Sequence, residues 1–421
     1  MSRKKKKTRR AGKRTSRTPP KKRSPGAHTL FGLATAHDRA GRLQKAETLY
    51  NRVIRAFPAF SPAHYNLGNL LARQGRMSSA CKAYQKAVAA DDKFVDAYIN
   101  LMNALYLTGQ YPQALKAGER ALSLAAGNAG VHATLAGIYR KLNRPAQVIE
   151  YLLKAIAIDP DNPAFHHNLG EALRKADRLP EAATAFEKAV KLDPDNASAR
   201  HLLSAMRGET PDSAPRKYVV ETFDKLSADF DDHLIKDLEY TTPEQLKNVL
   251  GTVCGSGQRF SRMLDLGCGT GLSGMAFKSS ADHMTGVDLS SKMIALSNHR
   301  GIYAALENSE IIDFLEGTAD KFDLVVAADV FVYIGNLTPV FRAVKNRLLP
   351  GAYFTFSTET CRKEPWGLRS TGRYAHSRHY IRSLAGEKGF EILAEKSSNI
   401  RKEKQQWVVG DLYVLRTWVS K

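Results

Sequence analysis

A chain of 421 residues with 43% apolar content is too long for one ordinary domain and rich enough in apolar residues to build folded cores, so at least two globular units are expected. No run approaches the roughly 18 consecutive apolar residues of a spanning helix, and no apolar segment of a secretory signal follows the first residues, which excludes a membrane span and points to the cytoplasm. The net charge of +21 is mostly local: residues 1–25 hold 13 Lys/Arg and no acid, which leaves +8 on all the rest. Cys81, Cys254, Cys268 and Cys361 are scattered without CxxC or Cys/His spacing, which argues against a disulfide framework and a metal site.

Residues 1–26 form a basic tail with almost nothing to bury, expected to be disordered. Its charge suits an anionic partner, RNA or a membrane surface, held through counterion release. A solubilising extension without any partner is the plainer alternative.

From residue 27 the sequence repeats with a period of 34, in units starting at 27, 61, 95, 129 and 163. The eighth position is Ala34, Gly68, Met102, Ala136 and Gly170, where paired helices must approach. The turn position carries Gly41, Gly75, Gly109, Asn143 and Asp177, residue types that tolerate left-handed backbone. Small residues recur at position 20 (Ala46, Ala80, Ala114, Val148, Ala182) and position 27 (Val53, Ala87, Ala121, Ala155, Ala189). This pattern resembles tetratricopeptide repeats, and the resemblance implies an all-α solenoid over residues 27–207, five repeats closed by the capping helix "ASARHLLSAM". Gly118 and Leu152 depart from it, standing where the other units carry Tyr50, Tyr84 or Phe186.

A concave groove of this kind implies a protein or peptide partner. Asn66, Asn69, Asn100, Asn103 and Asn168 recur at the sixth or ninth position of their repeats, and side-chain amides both donate to and accept from a peptide backbone. The bland alternative is that asparagine is simply common at these positions.

A polar linker is expected over 208–217 ("GETPDSAPRK"), then cap helices over 218–262 and a further domain over 263–421. Strand-like runs "RMLDLG", "HMTGVDL", "FDLVVAADV" and "AYFTFS" alternate with helical segments, the signature of a doubly wound α/β fold with a mostly parallel sheet. The turn after the first strand is "DLGCGTG", with Gly267, Gly269 and Gly271 spaced GxGxG rather than the GxGxxG that admits a pyrophosphate. Asp265 ahead of that turn suits a cationic ammonium, and Asp288 at the end of the second strand can accept from both hydroxyls of a ribose. A ligand with a ribose and an amino acid but no phosphate is S-adenosyl-L-methionine. The glycine turn alone also fits other Rossmann-like binders.

Residues 215–421 resemble the class I S-adenosylmethionine-dependent methyltransferases, through "DLGCGTG", "GVDLSSKMI" and "FDLVVAADVFVYIG" in that order. The resemblance implies a Rossmann-like domain with a seven-stranded sheet. It also implies that Gly267, Gly269 and Gly271 form the cofactor loop, Asp265 meets the methionine end and Asp288 the ribose. Leu289 and Met293 would then flank the adenosyl group, with Glu310 near the adenine amine and Ala328 and Asp329 lining the methyl-transfer pocket. "YVVETFDKLSADFDDHLIKDLEY" is similar to the cap of bacterial repeat-bearing methyltransferases related to those acting on small acids and carrier-bound acyl groups, which implies a cap from Tyr218, Phe223, Asp224, Phe230, Asp231, His233 and Leu234, with Leu226 where an aromatic is usual.

In-line methyl transfer needs alignment and a dry pocket, no metal, and a base only if the acceptor loses a proton. Candidate catalytic bases are Tyr374 and His376, with Tyr333 as a wall residue; a loop histidine bonded to backbone is the plainer reading of His376. Three readings are carried: a methyltransferase acting on an O or N acceptor (small molecule, carrier-bound acid or protein) recruited by the repeats, an interaction scaffold with a cofactor-sensing or inactive domain, and an RNA methyltransferase anchored by the tail.

Overall fold

The computed structural model describes residues 26–226, 231, 233–363, 365–403 and 406–418. The basic tail of residues 1–25, all of Phe230 and the side chains of Leu226 and His233 lie outside the described residues. The chain divides into two compact units, 1–143 and 144–421. No helix among the described residues is long and apolar enough to cross a membrane.

The first unit is helical: α1 (Ala27–Arg39), α2 (Leu43–Ala56), α3 (Ser61–Arg73), α4 (Met77–Ala90), α5 (Val95–Leu107), α6 (Tyr111–Leu124) and α7 (Ala129–Lys141). Gly41, Gly75, Gly109 and Asn143 have φ between +54° and +75°, the left-handed turns their residue types suggest. A Cβ on Gly68 would stand 2.5 Å from the Tyr84 ring, so the aromatic at position 24 occupies the space vacated at position 8. The third repeat reverses the sizes: Met102 is at position 8, and a Cβ on Gly118 would meet its Sδ at 2.7 Å. The departure at Gly118 is thus a swap that conserves volume. Asn69 accepts from the Tyr84 hydroxyl (2.7 Å) and from Asn100 Nδ2 (2.8 Å), so part of the asparagine ladder is engaged within the stack.

The second unit opens with α8 (Pro145–Ile158), α9 (Pro163–Lys175), α10 (Leu179–Leu192) and α11 (Ala197–Arg207). Gly170 and Phe186 repeat the close approach, at 2.7 Å. Asn162 and Asn196 cap α9 and α11 by accepting from Ala164 N and Ala199 N. α12 (Arg216–Leu226), a π-helical turn (His233–Asp237) and α13 (Thr242–Cys254) lead to the sheet.

Its strands are β1 (Phe260–Leu266), β2 (Ala281–Asp288), β3 (Ala305–Asn308), β4 (Phe322–Ala327), β5 (Leu348–Glu359), β8 (Phe390–Glu403) and β9 (Gln406–Thr417), in the order β3-β2-β1-β4-β5-β9-β8. A separate hairpin joins β6 (Trp366–Leu368) and β7 (Tyr374–His376). β1 to β5 run parallel, and β9 enters antiparallel beside β5. The helices α14 (Leu272–Phe277), α15 (Ser291–His299), α16 (Ile311–Gly317), α17 (Thr338–Arg347) and α18 (Arg378–Glu387) complete the fold. Alternation along β1 sends Leu264 and Leu266 into one core with Phe341, Phe354, Phe356 and Ile381, and Met263 into the other with Leu246 and Phe277. Strand order reverses between β1 and β4, which opens a crevice at their C-terminal ends.

Residues 208–217, expected as a polar linker, are tied to the domain instead. Ala214 N donates to Tyr333 O (2.9 Å), and Gly335 N and Asn336 N donate to Asp212 O (2.8 and 2.9 Å). Ala205 of α11 and Ala214 share an apolar cluster with Leu368 and Tyr374, so the capping helix and the β6–β7 hairpin are built into one core.

Candidate functional site

The turn after β1 can bend as it does because Gly267, Gly269 and Gly271 have φ of +66°, +54° and +95°. Gly267 also admits a close neighbour, since a Cβ there would lie 2.7 Å from Val330 Cγ2 in the segment after β4. A Cβ on Gly269 would meet nothing within 4 Å: it would stand in open space. That space is a cavity of about 470 Å³.

Gly267, Gly269, Asp288, Leu289, Glu310, Ala328 and Asp329 all line this cavity, so the ends of β1, β2 and β4 and the N-terminus of α16 converge on it. Asp288 receives Gly269 N on one oxygen (2.9 Å) and Ser290 N on the other (2.8 Å), which fixes its plane. Burial holds its pKa above the ordinary aspartate value, against the opposing pull of these backbone donors. Glu310 caps α16, accepting from Ile312 N at 2.8 Å.

Other expectations change. Asp265, Gly271 and Met293 do not line the cavity. Asp265 is wholly buried beneath the loop, where its Oδ2 accepts from the Tyr303 hydroxyl (2.5 Å) and its Oδ1 has no partner among the described residues. Burial lifts its pKa from 3.8 to about 7, the Tyr303 bond opposing the shift and Asp288 adding to it. Met293 is buried in α15.

Neither candidate base reaches the cavity. His376 is fully buried; Nε2 contacts the carbonyls of Ile334 (2.9 Å) and Gly335 (3.0 Å), and burial drives its pKa down to about 4. This is the backbone-bonded histidine of the plainer reading. Tyr374 is buried in the α11 cluster, with its hydroxyl unpartnered among the described residues. Tyr333 does line the cavity.

The cap is latched by its acids. Ser290 Oγ donates to Asp224 Oδ1 (2.7 Å) at the start of α15, and Thr270 Oγ1 donates to Asp231 Oδ1 (2.5 Å) in the glycine turn. Arg300 pairs with Asp231 and donates to Thr270 O (2.5 Å). Phe223 and Leu234 line the cavity, Phe223 edge-on to Tyr333 at 5.5 Å. Tyr218 packs instead on His201, at 4.5 Å.

Three wall features have no local signal in the sequence. Tyr240 and Arg373 line the cavity. Behind them Arg401, 1% exposed, donates to Asp329 Oδ1 at 2.9 Å and pairs with Glu359. A lone arginine in "TGRYAH" or a basic run such as "IRKEK" reads as surface until the partners are assembled.

The glycine turn at the C-terminal edge of β1, beside the reversal of strand order between β1 and β4, with an acid closing the adjacent β2, defines a Rossmann-like methyltransferase fold. The family model described as a methyltransferase domain matches residues 264–354, and models described as tetratricopeptide repeats match 31–93, 105–166 and 141–206. The chain therefore carries tetratricopeptide repeats over 31–206 followed by a methyltransferase domain over 264–354.

Among curated proteins it is similar to the ubiquinone biosynthesis O-methyltransferase of Aromatoleum aromaticum, 26% identical over 101 residues, or 23% of this chain and 43% of that one. It is likewise similar to the enzyme of that name from Bordetella avium, 25% identical over 119 residues, or 27% of this chain and 47% of that one. The matches span less than half the length of either relative. Among solved structures, the N-methyltransferase NodS from Bradyrhizobium japonicum in complex with S-adenosyl-L-homocysteine is 19% identical, with a TM-score of 0.39, covering 47% of this chain and 97% of that one.

Proposed function

We propose that the protein is an S-adenosylmethionine-dependent methyltransferase whose repeats engage a protein or peptide partner. The observation that carries this is Asp288, a half-buried carboxylate fixed by Gly269 N and Ser290 N at the edge of a cavity walled by a glycine turn. Its oxygens keep lone pairs for the two hydroxyls of a ribose. The open space over Gly269 accepts a ligand pressed against the main chain, and a cavity of about 470 Å³ suits a ligand of nucleoside size. The residues present therefore fit the cofactor, which when bound supplies an electrophilic methyl on a sulfonium.

This chain's own part is to hold and to exclude. Asp288 orients the ribose, Leu289 and Ile311 offer apolar walls to an adenine, and Phe223, Leu234 and Tyr333 close the acceptor side from water. Glu310, held by its capping bonds, lines the same cavity within 3.6 Å of Arg216. With Tyr374 and His376 turned into the core, an acceptor that reacts as an anion or as a free amine suits the site best.

Calorimetric titration with S-adenosylmethionine and with S-adenosylhomocysteine tests the reading. Binding to both is expected, weakened at least about tenfold in Asp288→Ala through loss of hydrogen bonds to a charged acceptor. Asp288→Asn, which keeps one acceptor, is expected to fall between. Absence of binding by the unaltered protein would overturn the assignment and favour a scaffold role.

A further inference from the structure

Arg373 stands at the end of the β6–β7 turn, and the repeat-derived helices hold that turn. Arg174 of α9 points Nη1 at the carbonyls of Ser370 and Thr371, both at 3.4 Å, and is steadied by Glu171 at 3.0 Å. His201 of α11 contacts Gly372 O through Nε2 at 2.9 Å. Gly372 has φ +82°, and a Cβ on it would lie 2.8 Å from the Tyr218 hydroxyl and 3.0 Å from Leu202 Cδ2, so the turn is wedged against α11 and α12. The next residue is Arg373, whose side chain lines the cavity beside Tyr333 and Asp329.

The guanidinium is oddly placed for a structural role. Its Nη1 is buried and makes no hydrogen bond among the described residues. The nearest carboxylates, Asp329 Oδ2 and Glu359 Oε1, are 3.9 Å away, beyond hydrogen-bonding reach. Both acids are already served: Arg401 pairs with each of them, and Arg369 donates to Glu359 Oε2 at 2.9 Å. With Nη1 turned toward these acids, the side chain still keeps 24% of its surface exposed at the cavity wall, where a planar guanidinium matches a carboxylate. A dianionic phosphate fits poorly, because Asp329 shares the same wall.

We infer that Arg373 fixes the methyl acceptor through a carboxylate that the acceptor carries, and that Arg174 and His201, in the last repeat and the capping helix, position it. The inference rests on the methyltransferase reading above. It makes the end of the repeat array part of the acceptor subsite as well as a docking element.

The test uses the full chain saturated with S-adenosylhomocysteine. Thermal unfolding is followed by tryptophan fluorescence, because Trp366, Trp407 and Trp418 all lie in the second unit. Sodium benzoate and sodium succinate are titrated against sodium chloride of equal ionic strength and against inorganic phosphate. A midpoint increase specific to the carboxylates is expected, absent in Arg373→Met and reduced in Arg373→Lys, with affinity for S-adenosylhomocysteine unchanged in both. Arg174→Ala and His201→Ala are expected to weaken the carboxylate response about tenfold while leaving S-adenosylhomocysteine affinity intact, a split that a merely structural role would not produce. A response to phosphate alone, no carboxylate response, or an equal one in Arg373→Met overturns the subsite. Failure of the unaltered protein to bind S-adenosylhomocysteine would overturn the methyltransferase reading itself.

Discussion

Asp265→Asn is the perturbation that most directly tests the chemistry beneath the glycine turn. Burial holds this carboxyl neutral up to about pH 7, whereas an unfolded aspartate ionises near 3.8. The folded state therefore keeps a proton that the unfolded state has lost, and stability falls as pH rises between those values. Three pKa units correspond to a penalty of about 4 kcal/mol at pH 8, of which about 2 to 3 kcal/mol develops between pH 5 and pH 8. Asparagine carries no such penalty and keeps an oxygen for the Tyr303 hydroxyl. Urea denaturation followed by tryptophan fluorescence at pH 5 and pH 8 reads the second unit alone. Relative to the unaltered protein, Asp265→Asn is expected to gain 2 to 3 kcal/mol on going from pH 5 to pH 8. A difference that stays flat over that range would show that Asp265 is ionised in the fold and refute the reasoning.

The same fluorescence assay serves Arg401→Met. It leaves Asp329 and Glu359 without their closest partner and should cost about 3 to 5 kcal/mol, whereas a loss under about 1 kcal/mol would mean that those acids do not depend on it. In the first unit, Gly68→Ala drives a methyl to 2.5 Å from the Tyr84 ring and should destabilise by about 1 to 3 kcal/mol, despite the better helix propensity of alanine. Circular dichroism at 222 nm monitors it. Tyr84→Leu in the same chain should recover part of the loss, and stabilisation by Gly68→Ala alone would contradict the packing argument.

The repeat region was legible because its information is local. A 34-residue period, small residues where helices meet and left-handed turn residues at Gly41, Gly75, Gly109, Asn143 and Asp177 act within a few turns of chain. The turn at Gly267–Gly271 and the acid at Asp288 were legible for the same reason, since each sits at a fixed offset from its own strand. What the sequence hid was direction. Asp265 and His376 are the right residue types for chemistry, yet one lies under the loop and the other on the carbonyls of Ile334 and Gly335.

Sequence alone thus determined a helical repeat array, a mostly parallel sheet and the glycine-turn edge of the cavity, because periodicity and short turns specify backbone without distant help. Tertiary structure decided the rest of the cavity wall. Arg373, Arg401 and Tyr240 acquire their roles from Asp329, Glu359 and the helices α9 and α11, groups tens to hundreds of residues away. Whether a charged side chain ends in solvent, in an ion pair or at a cavity wall depends on the partners that folding brings to it, and no local pattern encodes those partners.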